Sequence, residues 1–425
     1  MIFQKFLHHF RGMRWLGIAS LLVAQGAFGE DWPRWRGVRG DGTWQGPRLP
    51  ETWPAGGPHA EWRVEIGGGY AGVVVSGQRL YTMDLVKGPP DRERILCIDV
   101  GNGKVLWSHA YAVEYGDLDY GNGPRAAPTV FEGRVYTLGA VGHARCLDSA
   151  SGKVVWAKDL VKRFGAEIPT WGLAASPVID GPRVILQGGA TPGGCLITFD
   201  RVSGEEIWRS LSDPAGYATP ILVDRPTGRQ VVAWTPEHVC GVDARTGESL
   251  WKIPYKVNLG VSIATPIFAE NIVFVSGYWE GSKAILLGEG AKDASLLWEE
   301  NENLRGLMSQ PLYRDGYVYS IDKRNGLTCF ELKTGKVLWN AENAMTPKGR
   351  NPQATMVWLG QDDRVIVLNS EGELILARFN PGGYRESSRV KIIGPTWAHP
   401  AYAGTHVYAR NDTELVCVSL TDGNR

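Results

Sequence analysis

The chain has 425 residues, 43% of them hydrophobic, with 45 Lys plus Arg set against 45 Asp plus Glu. That much apolar material can bury a sizeable core, as two domains or as one large repeat array. The balanced charge excludes an overall field that would draw the protein to nucleic acid or to an anionic membrane surface.

Residues 1–29 read as an export signal. Lys5, Arg11 and Arg14 form a basic leader, Trp15 to Ala24 is a short apolar run, and Ala27-Phe28-Gly29 places small residues at the cleavage positions. An apolar run of that length is too short to span a hydrocarbon core of about 30 Å. The first cysteine is Cys97, so lipid attachment at the junction is not expected. The mature protein is therefore expected to be periplasmic or extracellular, with no transmembrane segment. A Trp-, Pro- and Gly-rich stretch follows over 30–59.

Glu61-Trp62-Arg63-Val64-Glu65-Ile66 is a strand with an outgoing Trp but no hairpin before it. Gly67-Gly68-Gly69-Tyr70-Ala71-Gly72 satisfies a dinucleotide fingerprint by spelling. However, that fingerprint needs a helix after it, and Val73-Val74-Val75-Ser76-Gly77 is a strand and turn. A flexible entry into the first repeat is expected instead.

From there one figure recurs: Asp99/Asn102-Gly103/Trp107, Asp148/Ser151-Gly152/Trp156, Asp200/Ser203-Gly204/Trp208, Asp243/Thr246-Gly247/Trp251 and, with Glu first, Glu331/Thr334-Gly335/Trp339. The Gly supplies a positive φ in a hairpin, the acid accepts turn amides, and the Trp buries a large apolar area between neighbouring units. A second series, Pro128, Pro177, Pro220, Pro266, Pro311 and Pro400, opens strands with gaps of 49, 43, 46, 45 and 89 residues, the last being two periods. Pro is tolerated at the start of an edge strand. Five cysteines, Cys97, Cys146, Cys240, Cys329 and Cys417, fall at like positions, and Cys195 slightly earlier. Equivalent positions on stacked sheets lie about 10 Å apart, so these read as small core residues and not as disulfides.

A period of this length means an array of like units. Eight hairpins can be counted, each unit reads as four short antiparallel strands, and no segment has helical periodicity. The last unit stops after Leu415-Val416-Cys417-Val418 and Thr421-Asp422-Gly423, short of a fourth strand. The Trp62 strand completes it. The expected fold is an all-β, eight-bladed propeller over 60–423, closed by an N-terminal strand that removes the exposed edge. Trp62, Trp107, Trp156, Trp208, Trp251, Trp298 and Trp339 are the expected blade-docking residues. Blade 5, with Glu289-Gly290-Ala291-Lys292-Asp293 for a turn, and blade 7, with Asn380-Pro381-Gly382-Gly383 and no Trp near Lys391 or Ile392, are expected to stack most loosely.

The Asp-x-x-Thr-Gly-x-x-x-Trp figure resembles the repeat of pyrroloquinoline-quinone (PQQ) proteins over about 62–423. Asp31-Trp32-Pro33-Arg34-Trp35-Arg36-Gly37 and Gly123-Pro124-Arg125-Ala126-Ala127-Pro128 look like exported bacterial members. The resemblance implies one of two functions. One is a non-catalytic scaffold, as in the propeller lipoprotein of the outer-membrane assembly machine, although the lipobox Cys is lacking here. The other is a PQQ- and calcium-dependent oxidoreductase acting on alcohols or sugars. For that branch the resemblance implies a vicinal Cys-Cys pair and a Glu, Asn and Asp calcium set, and neither can be matched to this chain. Trp171-Gly172 before Ala175-Ser176-Pro177 is similar to one dehydrogenase stretch.

Other chemistry is sparse. Asp117-Leu118-Asp119-Tyr120-Gly121-Asn122-Gly123 offers alternating oxygens but lacks the later Glu of a calcium loop. The eight His are scattered, with no zinc spacing and no nucleophile elbow. In a propeller the loops entering the inner strands converge on the channel mouth. Here they carry Tyr70, Arg125, Trp171, Tyr217, Asn258, Gln310, Asn351, Gln353, Trp397 and His399. Aromatics, amides and Arg suit recognition of a protein or a small polar or carbohydrate ligand better than acid–base chemistry. The catalytic and metal positions stay unassigned, and a monomeric binding protein is the expectation.

Overall fold

A computed structural model describes residues 29–421 apart from 117, 307, 348, 350 and 352. The export signal up to Phe28, Asp117 of the polar loop and the final Asp422-Gly423 lie outside the described residues. Eight antiparallel sheets of four strands follow one another along the chain, and one carries an added fifth strand. Blade 1 is Val74–Ser76, Arg79–Val86, Arg92–Asp99 and Val105–Ala112, and the later blades repeat that order. Each Pro of the second series directly precedes an inner strand: Thr129–Phe131 follows Pro128, and Ala401–Ala403 follows Pro400.

The ring closes as the sequence requires. Ala60–Glu65 pairs with Glu414–Ser419, Trp62 opposite Cys417 and Arg63 opposite Val416. The entry into blade 1 is not flexible: Gly67 donates to the Asp84 carboxylate at 2.7 Å, and its carbonyl accepts from Arg410 at 2.7 Å. Arg410, fully buried, also reaches the Met83 carbonyl, while Arg94 pairs with the buried Asp84 at 2.6 Å. Gly67 is thus fixed by charge-assisted hydrogen bonds, the strong kind.

The recurring figure does two jobs. The acid caps its turn, as where Asp243 Oδ1 accepts from the amides of Arg245 and Thr246 at 2.9 and 2.7 Å. The Trp indole of one blade donates to the carbonyl just after the acid of the next, as from Trp107 to Ser149 at 3.0 Å and from Trp156 to Arg201 at 3.1 Å. The turn Gly lies against that same Trp. A Cβ on Gly152, whose φ is 71°, would come within 2.6 Å of the Trp107 ring. Gly is thus needed both for its backbone and for the close approach. In blades 1, 2, 6 and 8 the docking Trp sits opposite a Cys, which sits opposite a Tyr. The rows are Trp107–Cys97–Tyr81, Trp156–Cys146–Tyr136, Trp339–Cys329–Tyr319 and Trp62–Cys417–Tyr408. A small residue between two large rings lets both lean across it. All six thiols are buried and unpaired.

Three features differ from expectation. A helix of five residues, Leu160–Phe164, is present, capped by the Asp159 side chain and by Gly165 in the left-handed region. At blade 5, which lacks the acid and turn, the Trp251 indole turns back to Gln230 Oε1 of its own blade at 2.9 Å. At blade 7 the missing Trp is replaced from outside the repeat. Trp53 is 8% exposed and packs among Leu374, Leu376 and Ile392, and its indole donates to the Leu374 carbonyl at 3.2 Å. Blade 7 is therefore filled, not loose.

Trp53 belongs to a stretch that follows the ring closely. Gly29 bridges to Gly404, Trp32 exchanges backbone bonds with Val75, and the Pro33 carbonyl accepts from Val130 of blade 2. The chain then crosses the channel. The Trp35 indole donates to Thr265 Oγ1 beside blade 5 at 2.8 Å, and Arg36 donates to the Pro311 carbonyl beside blade 6 at 2.6 Å. Thr43–Trp44 finally pairs, parallel, with the inner strand of blade 7.

Candidate functional site

Nine of the ten predicted mouth residues fall into three groups, with Asn258 apart from them. The first is a cluster around Tyr120, which sits in the polar loop between blades 1 and 2 in a left-handed conformation (φ 61°) and is 51% exposed. Its ring lies 5.5 Å from that of Trp397, its hydroxyl accepts from Asn351 Nδ2 at 3.3 Å, and its carbonyl accepts from the Tyr70 hydroxyl. Tyr70 is 6.1 Å from Trp397 and lies under the Arg125 guanidinium at 5.5 Å. Asn351 and Trp397 come from the loops entering blades 7 and 8, so this loop meets residues from beyond the seam. The carbonyls of Asp119, Gly121 and Gly123 all accept from Arg125.

Trp171 and Tyr217 form a second pair, their rings 5.7 Å apart and nearly perpendicular. Asn258 stands apart, its amide bonded to Glu280 Oε1 at 2.8 Å. The third group lies lower. The Gln310 side chain accepts from the Thr265 amide at 2.6 Å, Gln353 reaches Met308 Sδ at 3.5 Å, and the His399 ring sits 4.2 Å from that of Trp35. These side chains line the inside of the channel against the N-terminal stretch, not its rim.

Sequence reasoning missed several mouth residues. Tyr278 donates to Asn351 Oδ1 at 3.1 Å and carries Lys323 over its ring at 3.8 Å, with Trp279 beside it. Leu259 is 68% exposed at φ 53°. The aromatic pair Tyr278-Trp279 was a visible signal, but it lies in a loop between second and third strands, whereas only loops entering inner strands were considered. Trp35 and Arg36 gave no sign of entering the channel.

The electrostatics move these groups away from neutrality. Burial pushes the Tyr217 hydroxyl up to about 12. The ring of His399 keeps part of its surface accessible, yet burial and, secondarily, the charge of Arg36 hold its pKa down to about 3. A general base works best near the operating pH, and neither group qualifies.

A quinone held by calcium was tested against the channel. Two hollows along it, among the described residues, hold about 10 Å³ each, room for about one water. Their linings include Trp35, Arg36, Gln310, Gln353, Trp397 and His399, and no carboxylate among the described residues. Trp35 and Arg36 line one of these hollows, and the Arg36 charge opposes a divalent cation. The residues do not fit that group, and no chemistry is derived through it.

The sequence profile of a family described as outer membrane protein assembly factor BamB matches residues 91–341 and 228–425. The BamB of Yersinia pestis is 21% identical over 218 residues, covering 45% of this chain and 53% of that protein, so the chain spans about half the length of this curated relative. Among solved structures, BamB from Moraxella catarrhalis superposes with a TM-score of 0.58 at 15% identity, covering 86% of this chain and 99% of that one. Quinohemoprotein alcohol dehydrogenase from Comamonas testosteroni gives 0.63 at 12% identity, covering 93% and 81%. At these identities the structural likeness shows the fold alone, a fold shared by an assembly factor and an oxidoreductase.

Proposed function

The chain belongs to the outer membrane protein assembly factor BamB family, and on that footing we propose that it is a non-catalytic exported scaffold whose mouth face holds a protein partner. The observation that carries this reading is the filled channel. The N-terminal stretch reaches into it, Trp35 bonded to Thr265 and Arg36 to the Pro311 carbonyl, and the Tyr120 loop is bonded to Asn351 at the mouth. Small-molecule sites usually enclose about 300–1,000 Å³. A shallow face of aromatic, amide and cationic groups is instead what protein partners bind, with Trp, Tyr and Arg as anchors. On this reading residues 1–29 direct export, residues 30–59 remain as part of the ring, and the monomer works in the periplasm beside the outer membrane. No proton-transfer group is required.

A photo-crosslinking amino acid placed at Tyr120, Trp397 or Trp279 tests this in the exporting cell, with Thr227, an exposed turn residue of blade 4, as control. The expected products are outer-membrane proteins or their assembly machinery, captured from the mouth positions and not from Thr227. Capture from Thr227 alone, or tight binding of PQQ and calcium with alcohol-dependent dye reduction, overturns the proposal.

A further inference from the structure

Away from the mouth, the N-terminal stretch and blade 7 flank an open hollow of about 370 Å³. Gly46 to Glu51 form one wall, and the turn Gly360 to Arg364 with Arg378 forms the other. Two of its three arginines already have counter-charges. Arg364 meets Asp362 at 3.0 Å and donates to the Leu49 carbonyl at 3.1 Å. Arg378 meets Glu51 at 3.1 Å and Asp363 at 2.5 Å. Arg48 is exposed on the wall and has no hydrogen bond or ion pair among the described residues. The Nε of Arg378 is buried with no acceptor among them.

We propose that this hollow is a binding site for a small monocarboxylate rich in hydroxyl groups, of the acidic-sugar class. Its volume falls within the range of small-ligand sites. One cation, Arg48, is free to take a carboxylate in a two-pronged hydrogen bond. The Glu51 and Asp362 oxygens, only partly engaged, accept from hydroxyls, and the Gln361 amide can donate or accept. The same two carboxylates repel a dianion, which selects against phosphate. The site depends on neither the channel nor the mouth, and it exists only because residues 46–51 are held against blade 7.

Calorimetric titration of the whole exported protein with D-glucuronate, D-glucose and inorganic phosphate tests the assignment, beside an Arg48→Met variant. Arg48 is exposed and makes no hydrogen bond or ion pair among the described residues, so the variant should melt with the wild type. Glucuronate should bind, glucose and phosphate at least tenfold more weakly, and Arg48→Met should lose tenfold or more for glucuronate with little change for glucose. Absence of glucuronate binding, phosphate binding as tight as glucuronate, or an Arg48→Met affinity equal to wild type would each overturn the proposal.

Discussion

Replacing Trp53 by Ala removes the one large side chain that stands in for the absent Trp of blade 7. A buried Trp covers about 200 Å², worth about 5 kcal/mol at ~25 cal/mol/Å² as an upper figure. The hydrogen bond to the Leu374 carbonyl is worth about 1 kcal/mol. Partial collapse of the neighbours recovers some of this, so the expected destabilisation is about 4 kcal/mol, within the usual ~3–5 kcal/mol for such truncations. Trp53→Phe, which keeps most of the ring and loses the donor, should cost about 1–2 kcal/mol. Trp279→Ala, at a 39% exposed position, should stay within about 0.5 kcal/mol. Urea unfolding gives the three values. Hydrogen exchange should show Glu373–Asn380 losing protection first in Trp53→Ala. A Trp53→Ala protein within about 1 kcal/mol of wild type, with blade 7 still protected, would refute the view that residues outside the repeat complete this blade.

Gly152→Ala should cost about 2–4 kcal/mol, because a positive φ is combined with contact on Trp107, whereas Gly181→Ala, at φ 54° with open space around it, should cost only about 1 kcal/mol; thermal or urea unfolding compares them. The His399 ring has a folded pKa of about 3, below its unfolded value of about 6.5. The folded state therefore disfavours protonation there: its contribution is fully present above about pH 6.5 and is lost as pH falls toward 3. NMR should show no His399 titration between pH 5 and 8, and His399→Gln should lessen the loss of stability over the acid range. Burial raises all six thiol pKa values, as at Cys97 to about 11, so a thiol reagent should modify none in the native protein and six after denaturation. Asp200, held low first by the Ser203 amide, contributes stability that is present above about pH 4 and lost as pH falls further; Asp200→Asn should flatten the acid limb of a stability–pH curve below pH 4.

The repeat carried most of the fold because its physics is local. A turn needing Gly, an acid to cap it and a Trp at fixed spacing are all written within ten residues, and each blade is built by pairing with its own sequence neighbours. Even closure was legible, since an unfinished unit at one end and a lone Trp62 strand at the other leave one solution. The mouth was legible only as a set of loops. Tyr70, Arg125, Asn351 and Trp397 are brought together around Tyr120, which meets Asn351 and Trp397 across the seam, over sequence separations that no local pattern records.

What the sequence by itself determined is the eight-bladed ring and its seam, because strand pairing within a blade is a short-range matter of alternation and turn chemistry. What only the tertiary structure decided is where residues 29–58 go. Trp35 and Arg36 in the channel, Trp53 in blade 7 and Arg48 beside Arg364 depend on partners some 200 to 300 residues distant. A segment without periodicity takes its place from the cavities the ring leaves, and those cavities exist only once the ring has closed.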